Sequence, residues 1–148
     1  MSGIRFNVMK SNQEFELRSV IKDDLNLLFN WANELEVRKN SFQTEQIPYY
    51  DHKNWFEKLL HDETQIQYIF LVDSYPVGQI RFSIHDDKAE VNYSIDINMR
   101  GKGYGKKILE LAKSKFFKEY PKIKKIIARV KKDNEASKKS FCANGYEE

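Results

Sequence analysis

The six residues 100–105, Arg-Gly-Lys-Gly-Tyr-Gly, constrain the fold most, because three glycines directly follow a run that reads as a strand. Glycine lets the backbone turn sharply and brings its N–H groups close to a ligand. The amphipathic run from Tyr104 to about Glu119 predicts a helix that begins at this turn. The free N–H groups and the positive dipole end of such a helix favour an anion. The sequence therefore predicts a phosphate-binding turn between a strand and a helix.

Other glycine-rich phosphate loops do not match this spacing. A dinucleotide-binding Gly-x-Gly-x-x-Gly requires glycine three residues after Gly103, where this chain has Lys106. The chain also contains no Gly-x-x-x-x-Gly-Lys-Ser/Thr loop. A glycine turn with a purely structural role remains an alternative.

Hydrophobic periodicity predicts the remaining elements. Strands are expected at 15–20, 67–72, 77–84, 89–97 and 123–130, and helices at about 23–35, 51–61, 104–119 and 134–143. Residues 40–48 read as a loop, and Pro121 and Gly145 should end the last two helices. Turns at 73–76 and 85–88 predict an antiparallel meander. The order β-α-α-β-β-β-α-β-α indicates a single mixed α/β domain spanning residues 1–148. Its helices are expected to cover both faces of one sheet. Residues 1–13 are expected to form an extra strand or a loose arm.

Charge is unevenly distributed along the chain. Residues 1–99 carry 10 Lys and Arg against 16 Asp and Glu, a net −6, whereas residues 100–148 carry 15 against 6, a net +9. This asymmetry favours a ligand with several phosphates, or a solvated lysine face. Nucleic acid is not expected, because the aromatic residues of this region, Phe116, Phe117 and Phe141, fall at core positions of helices.

Several classes of protein are disfavoured by composition. No apolar run approaches a membrane span, and the first residues lack the apolar stretch of a signal peptide, so we expect a cytoplasmic protein without membrane contact. The single Cys142 excludes an internal disulfide and a cysteine zinc site, and the three histidines lack ligand spacing, so no metal is expected. Cys142 should be a buried, inert thiol, and His52 a histidine on a helix surface.

Two motifs in this order resemble the GNAT superfamily of acetyl-CoA-dependent N-acetyltransferases. The first is Arg100-x-x-Gly103-x-Gly105 after a strand; the second is residues 134–137, Asn-Glu-Ala-Ser, with residues 144–146, Asn-Gly-Tyr, closing the helix. The resemblance covers about residues 15–146 and implies a GNAT-like, mostly antiparallel sheet flanked by helices. The related branches are ribosomal-protein N-terminal acetyltransferases and acetyltransferases of nucleotide-linked amino sugars. Residues 37–42, with His52-x-x-Trp55-Phe56, are more similar to the amino-sugar enzymes.

The resemblance implies acetyl-CoA as co-substrate and assigns its binding residues. Backbone N–H groups of the glycine turn, together with Arg100, would hold the pyrophosphate of acetyl-CoA, and lysines would reach its outer phosphate. The strand around Ser94 would splay from its neighbour and pair with the amide-containing arm of acetyl-CoA. The Asn134 amide would also bind this arm. The expected cofactor-binding residues are Ser94, Ile95, Ile97, Arg100, Gly101, Lys102, Gly103, Tyr104, Gly105, Lys106, Asn134 and Lys139.

Direct transfer requires a base for the amine and a proton for the leaving thiolate. Period-two alternation places Glu90 on the polar face of its strand, which makes it the candidate general base, directly or through a water, or else a solvated carboxylate. The tyrosine that many relatives carry on the last helix is Phe141 here. Ser137 is therefore the candidate general acid or thiol contact, unless it is an ordinary helix serine. Tyr104, Tyr146 and solvent are the reserve proton donors.

Three functional hypotheses remain at this point. The first is an acetyltransferase whose amine acceptor is a nucleotide-linked amino sugar, and the second is an enzyme of the same chemistry acting on a protein N-terminus. The third is a non-catalytic coenzyme A-binding module, which Phe141 and the short C-terminus favour. Family members usually continue with one or two more strands, so we expect these to be missing here. The exposed sheet edge would then support a homodimer.

Overall fold

A computed structural model describes residues 2–9 and 12–148. Short 3₁₀ turns at Lys22–Asp24 and Ile97–Met99 accompany the regular elements. These elements are β1 (Phe15–Ser19), α1 (Leu25–Ala32), α2 (Leu35–Lys39), α3 (Tyr49–Leu59), β2 (Gln65–Val72), β3 (Tyr75–His85), β4 (Lys88–Ile95), α4 (Tyr104–Glu119), β5 (Lys125–Ala128) and α5 (Glu135–Ala143). The predicted mixed α/β fold is confirmed, with α2 as an additional short helix.

The five strands form one sheet in the order β1-β2-β3-β4-β5. The first four pair antiparallel, and β5 runs parallel to β4. The last β4–β5 pair is Val91 with Ala128, although β4 continues to Ile95. The two strands therefore separate beyond Val91, as the resemblance implies, and this separation opens the functional cleft.

Helices cover both faces of the sheet because its side chains alternate. One face packs against α4, where Phe82 and Phe116 stack with ring centroids 4.1 Å apart. The other face places Ile69 and Leu71 against apolar side chains of α1 and α3, including Trp31. Each fully buried side chain of this kind contributes roughly 1.5–3 kcal/mol. The two clusters hold the sheet between α4 and the α1–α3 layer.

The helix predicted over 23–35 is interrupted. Asn33 ends α1, and Glu34 adopts an extended conformation (φ −64°, ψ 140°) as the N-cap of α2. The Glu34 carboxylate accepts the N–H groups of Glu36 and Val37, each at 3.1 Å. The same Glu34 carboxylate also pairs with Arg100, 66 positions away. A contact this distant in sequence is not visible in the helical periodicity, which therefore did not reveal the break.

The strand predicted over 89–97 is also too long at its C-terminal end. Asp96 accepts the Asn98 N–H at 2.8 Å and so starts the 3₁₀ turn that contains Ile97. The final strand is likewise shorter than the predicted 123–130. Pro121 and Gly145 do follow the last two helices as predicted, and Gly145 has the left-handed φ of +84°.

Two predictions about single side chains are wrong. His52 is buried, because its ring stacks among aromatic residues of α1 and α3. Cys142 is exposed, because it lies on the outer side of α5.

The N-terminal segment forms neither helix nor strand at residues 2–9 and 12–14. The extra strand considered for residues 1–13 is therefore not formed in the described part of that segment, while residues 1, 10 and 11 lie outside the description. Across the described ranges, none of the helices has the length and apolar character needed to cross a membrane.

Candidate functional site

A cleft of about 1590 Å³ opens where β4 and β5 separate. One end is lined by the glycine turn and the start of α5, and the other continues over the polar face of the sheet beneath α1–α3. The first end contains most of the residues expected to bind the cofactor. The second end is formed by residues of the 40–48 loop and of α3, among them Phe42 and Trp55.

The glycine turn has the geometry predicted for an anion site. Gly103 is the N-cap of α4 with φ +81° and no side-chain cap, and Gly101 has φ +76°. A Cβ at either glycine would meet no atom within 4 Å, so the backbone conformation, and not lack of space, requires glycine. The first N–H groups of a helix have no partner within the helix, so those at the start of α4 are available to a ligand. Gly101, Gly103, Gly105 and Lys106 all line the cleft.

The Tyr104 side chain turns away from the cleft. It is buried against Phe15 and Phe70, and its hydroxyl accepts a hydrogen bond from Gln13 at 3.1 Å. Tyr104 therefore offers the site its backbone only.

The Arg100 side chain is occupied within the protein. Its Nε donates to the Ile95 carbonyl at 3.0 Å, and its outer nitrogen pairs with Glu34 Oε2 at 2.8 Å. Burial raises the pKa of Glu34, but hydrogen bonds from Arg100 and two backbone N–H groups outweigh it, so this pKa lies below its usual value. Arg100 thus joins the end of β4 to the N-cap of α2.

None of the three lysines expected to reach the outer phosphate, Lys102, Lys138 and Lys139, lines the cleft. Lys102 and Lys139 are exposed on the protein surface, and Lys138 pairs with Glu135 at 3.0 Å.

The free edge of β4 is defined by backbone direction. Along a strand, the N–H groups of every second residue point to the same side. The Asp96 N–H donates to Val77 O of β3 at 2.8 Å, so the Ser94 N–H, two residues earlier, also faces β3. The N–H groups of Tyr93 and Ile95 therefore face the cleft, and Arg100 accordingly reaches the Ile95 carbonyl from that side. The backbone N–H groups of Tyr93 and Ile95 are therefore open to a ligand in the cleft.

Ser94 and Ile97 do not offer the strand pairing expected of them. The backbone of Ser94 pairs with Gln79 of β3, and its hydroxyl accepts from Gln79 Nε2 at 3.2 Å on the polar face. Ile97 lies in the 3₁₀ turn, 54% exposed and outside the main cleft.

Ser137 forms a pair that the sequence analysis missed. Its Oγ lies 3.1 Å from the hydroxyl of Tyr93, whose ring packs edge-on against Phe141. Ser137 N–H donates to Asn134 Oδ1 at 3.3 Å, which leaves the Asn134 amide nitrogen for a ligand. The Tyr93 ring packs on the apolar side of β4, but its hydroxyl reaches beyond that packing to the cleft.

Glu90 lies away from the point where the strands separate. It pairs with Arg129 at 3.2 Å and stands beside Ile127 in the paired part of β4 and β5. Four residues separate it from Ser94, about 13 Å along a strand. Glu90 does not line the cleft.

The polar floor of the cleft is a chain of amide side chains. Gln67 Nε2 donates to Gln79 Oε1 at 2.9 Å, and Gln79 Nε2 donates to Asn92 Oδ1 at 3.3 Å as well as to Ser94. At the end of β4, Trp31 Nε1 donates to Asp96 at 2.9 Å. The floor is therefore rigid and polar, which suits a hydroxyl- or amine-bearing molecule.

The wall over this floor is held by fixed contacts. Arg38 donates to the carbonyls of Ala32 and Gln43, and Asn33 exchanges two hydrogen bonds with the backbone of Ile47. His52 Nε2 lies 3.1 Å from Leu25 O, an arrangement that requires the Nε2–H tautomer. Burial lowers the pKa of His52 despite that hydrogen bond. His52 therefore serves as a neutral link between α3 and α1.

Comparison with known protein families decides the assignment. The acetyltransferase (GNAT) domain model matches residues 14–147. The chain belongs to the GNAT acetyltransferase family. The prediction of an acetyl-CoA-dependent N-acetyltransferase is thereby confirmed at the level of the family, and the particular branch is not decided. No curated protein matches this GNAT chain significantly.

Solved structures share the GNAT fold at low sequence identity. Spermidine N-acetyltransferase from Vibrio cholerae, in complex with CoA and spermine, has TM-score 0.83 and 19% identity over 90% of this chain and 82% of that one. A domain from Methanocaldococcus jannaschii has TM-score 0.80 and 24% identity over 92% and 90%. A ribosomal L7/L12 α-N-protein acetyltransferase in complex with coenzyme A has TM-score 0.76 and 16% identity over 90% and 80%.

The GNAT site contains no metal cluster among the residues that the structure describes. There, no group of three His, Cys, Asp or Glu side chains is arranged to hold an ion. The site instead offers backbone N–H groups, amides and hydroxyls, the groups that bind phosphate and amide ligands.

Proposed function

We propose that this GNAT chain transfers the acetyl group of acetyl-CoA directly to the amine of a nucleotide-linked amino sugar. The observation that carries the proposal is one continuous cleft, from the uncapped N-terminus of α4 past the free edge of β4 to a polar floor. The pyrophosphate fits the N–H groups of residues 101–106, and the amide arm fits the Tyr93 backbone and the Asn134 amide. Residues 37–42 and the motif His52-x-x-Trp55-Phe56 are similar to the amino-sugar enzymes, and residues 37–42, His52 and Trp55 line the other end.

In the proposed reaction, the neutral amine attacks the thioester carbonyl carbon while the Ile95 N–H stabilises the oxyanion. A new C–N bond forms, the C–S bond breaks, and the thiolate takes a proton from the Ser137–Tyr93 hydroxyl pair. The proton lost by the amine passes to water on the polar floor beside Asn92. Glu90 acts in this scheme as a distant base through water and not by direct contact.

A protein N-terminus is the second acceptor that we consider, because the ribosomal L7/L12 acetyltransferase shares the fold. The non-catalytic coenzyme A-binding module is the third reading. The main argument for a non-catalytic module is that Phe141 has no proton to donate. The Tyr93 hydroxyl weakens this argument, because it supplies a proton donor near Phe141.

The outer edge of β5 supports a further element of the proposal, a second copy of the chain. Within the described residues β5 pairs on one side only, with β4. Sedimentation equilibrium tests this homodimer: a mass that stays monomeric at high protein concentration contradicts it.

Calorimetry with acetyl-CoA, followed by transfer assays, tests the proposed activity. The acceptors are a uridine-diphosphate-linked amino sugar and a short peptide with a free N-terminus. We expect acetyl-CoA binding and faster acetylation of the sugar amine. Binding without transfer to either acceptor favours the non-catalytic module, and faster acetylation of the peptide favours the N-terminal acetyltransferase. Absence of acetyl-CoA binding contradicts all three.

A further inference from the structure

Arg81 has an unusual environment for a charged side chain. It lies on β3, on the polar floor of the cleft, and its guanidinium stacks over the Trp55 ring at 5.0 Å. Its Nε is buried without a hydrogen-bond partner, and no other nitrogen of the group donates to a described residue. A guanidinium carries five N–H donors, and leaving the buried Nε–H unused is costly.

The opposite residue on β2 is unsatisfied as well. Gln67 pairs with Arg81 in the strand register, is 9% exposed, and its Oε1 is buried without a partner. Its Nε2 is already used by Gln79. This part of the floor therefore presents an unmatched cation beside an unmatched acceptor, two groups that a ligand bearing both an oxyanion and a hydroxyl or amine would satisfy together.

The other charges of the cleft are already matched or lie at its rim. Arg100 pairs with Glu34, Arg129 pairs with Glu90, and Arg38 donates to backbone carbonyls. The carboxylates that line the cleft are all exposed at its rim: Glu36, Glu45, Asp51, Asp133 and Glu135.

Glu90 is the carboxylate that influences Arg81. It tends to raise the pKa of Arg81, while desolvation, the larger effect, lowers it. The ion pair of Glu90 is nevertheless with Arg129. Arg81 thus forms no ion pair with a described carboxylate, and its positive charge repels a polycationic amine.

The position of Arg81 suits an acceptor contact. Arg81 lies opposite Asn92, and Gln79 lies opposite Ser94, one residue before the proposed oxyanion donor Ile95. Two residues along a strand span about 7 Å. A group bound at Arg81 therefore lies about 7 Å along the sheet from the reacting amine, a distance that one small molecule can span.

We infer that Arg81 binds an oxyanion group, a phosphate or a carboxylate, of the amine acceptor and so selects anionic amines over polycations. This inference rests on the proposed function for its reaction centre. A bidentate guanidinium–oxyanion contact supplies both the attraction and the orientation, because its two parallel hydrogen bonds fix the plane of the group. Trp55 keeps the guanidinium in place through its ring face.

The inference is tested by calorimetry, which measures how tightly amines bind to the protein in complex with CoA; no transfer occurs because CoA carries no acetyl group. Two matched pairs of amines are compared: glucosamine 6-phosphate with glucosamine, and alanine with alaninamide. Spermidine is titrated as the polycationic amine. We expect the anionic member to bind about 10–100-fold more tightly in at least one pair, as for hydrogen bonds to a charged group. The pair that shows the preference identifies phosphate or carboxylate. Equal binding within both pairs, or tightest binding of spermidine, overturns the inference.

Variants assign the preference to Arg81. Arg81→Met should abolish the preference, and Arg81→Lys should retain only part of it, because lysine lacks the bidentate geometry. Lys39→Met removes a positive charge at the exposed rim of the cleft and should leave the preference intact. A preference that persists in Arg81→Met, or is lost in Lys39→Met, contradicts the assignment.

Two controls separate failure of this inference from other failures. CoA affinity and thermal unfolding verify that each variant is folded, and the matched-pair comparison on the unmodified protein stands if Arg81→Met is unstable. Repeating the titrations without CoA measures the oxyanion contact even if no amine is acetylated, so the outcome does not depend on the proposed reaction.

Discussion

The hydroxyl of Tyr93 and the Oγ of Ser137 lie 3.1 Å apart, joining β4 to α5 beside the first turn of α4. A Cβ at Gly105 would lie 3.2 Å from Ser140 Oγ and 3.6 Å from the Tyr93 hydroxyl. The close approach of three elements places this hydroxyl pair against the cleft. In the reaction proposed above, this pair gives a proton to the leaving thiolate, with either hydroxyl as the immediate donor.

Tyr93→Phe and Ser137→Ala should each lower kcat by about 10²-fold, the lower end of the range for general acid catalysis. The double variant should be little worse than the more damaging single variant, because the hydroxyls act as a unit. Steady-state kinetics and the pH profile of kcat measure this effect, with acetyl-CoA affinity unchanged. Tyr75→Phe, which removes an exposed hydroxyl elsewhere, is the control. Unchanged kcat in both single variants would mean that solvent protonates the thiolate.

Gly103→Ala should destabilise the fold by about 1–2 kcal/mol, because its φ of +81° is unfavourable for a residue with a Cβ. It should also weaken acetyl-CoA binding, since relief of the strain tilts the first N–H groups of α4. Gly3→Ala is a matched control, because Gly3 has no left-handed φ and its Cβ would meet nothing within 4 Å. Urea unfolding and calorimetry provide the two measurements; equal effects of the two substitutions would contradict the role of the turn.

The ion pair of Glu34 with Arg100 should make stability depend on pH. The pKa of Glu34 is depressed in the folded protein, so its contribution is fully present above the unfolded value of about 4.3 and is lost as pH falls through the folded value. Glu34→Gln should cost about 1 kcal/mol at pH 7, a figure reduced by the partial exposure of Arg100.

Urea unfolding of the native protein and Glu34→Gln at pH 7 and near pH 3 measures this dependence. The difference between them should be largest at pH 7 and shrink in acid. Glu110→Gln, which breaks an exposed pair with Lys107 at 3.9 Å, should change little at either pH. A Glu34→Gln difference that grows as the pH falls is incompatible with the depressed pKa.

Cys142→Ser should retain full acetyl transfer, because Cys142 is exposed outside the cleft and direct transfer needs no acyl-enzyme. Mass spectrometry after mixing with acetyl-CoA should show no acetylated cysteine in the native chain during turnover. A large loss of activity, together with an acetylated thiol that forms and decays at the rate of turnover, would support a covalent route instead.

Local chemistry explains which elements could be predicted. Strand β2 ends in a short apolar run before a turn, and β4 alternates between polar and apolar residues. Helix α4 combines a glycine start with Pro121 after its end, so neighbouring residues suffice to define these elements. The break between α1 and α2 could not be found this way, because Glu34 is held by Arg100, 66 positions away. The burial of His52 likewise depends on aromatic rings from both α1 and α3.

The candidate site divides in the same manner. The glycine turn was evident, since left-handed backbone at Gly101 and Gly103 is a property of those residues themselves. Tyr93 and Arg81 were missed, because a tyrosine on the apolar side and an arginine on the polar side of a strand are ordinary until their neighbours are known. Glu90 was selected by its face alone, and distance along the strand then separated it from the reaction centre.

The sequence by itself determined the order of the strands and of the longer helices, the glycine turn and the resemblance to the GNAT family, because each depends on short-range spacing along the chain. Only the tertiary structure decided which side chains meet in the cleft. Tyr93 finds Ser137 across 44 positions, and Arg81 lies unpaired beneath Trp55, through the pairing of strands and the packing of helices. Hydrogen bonds and burial between distant residues set those positions, and no local pattern encodes them.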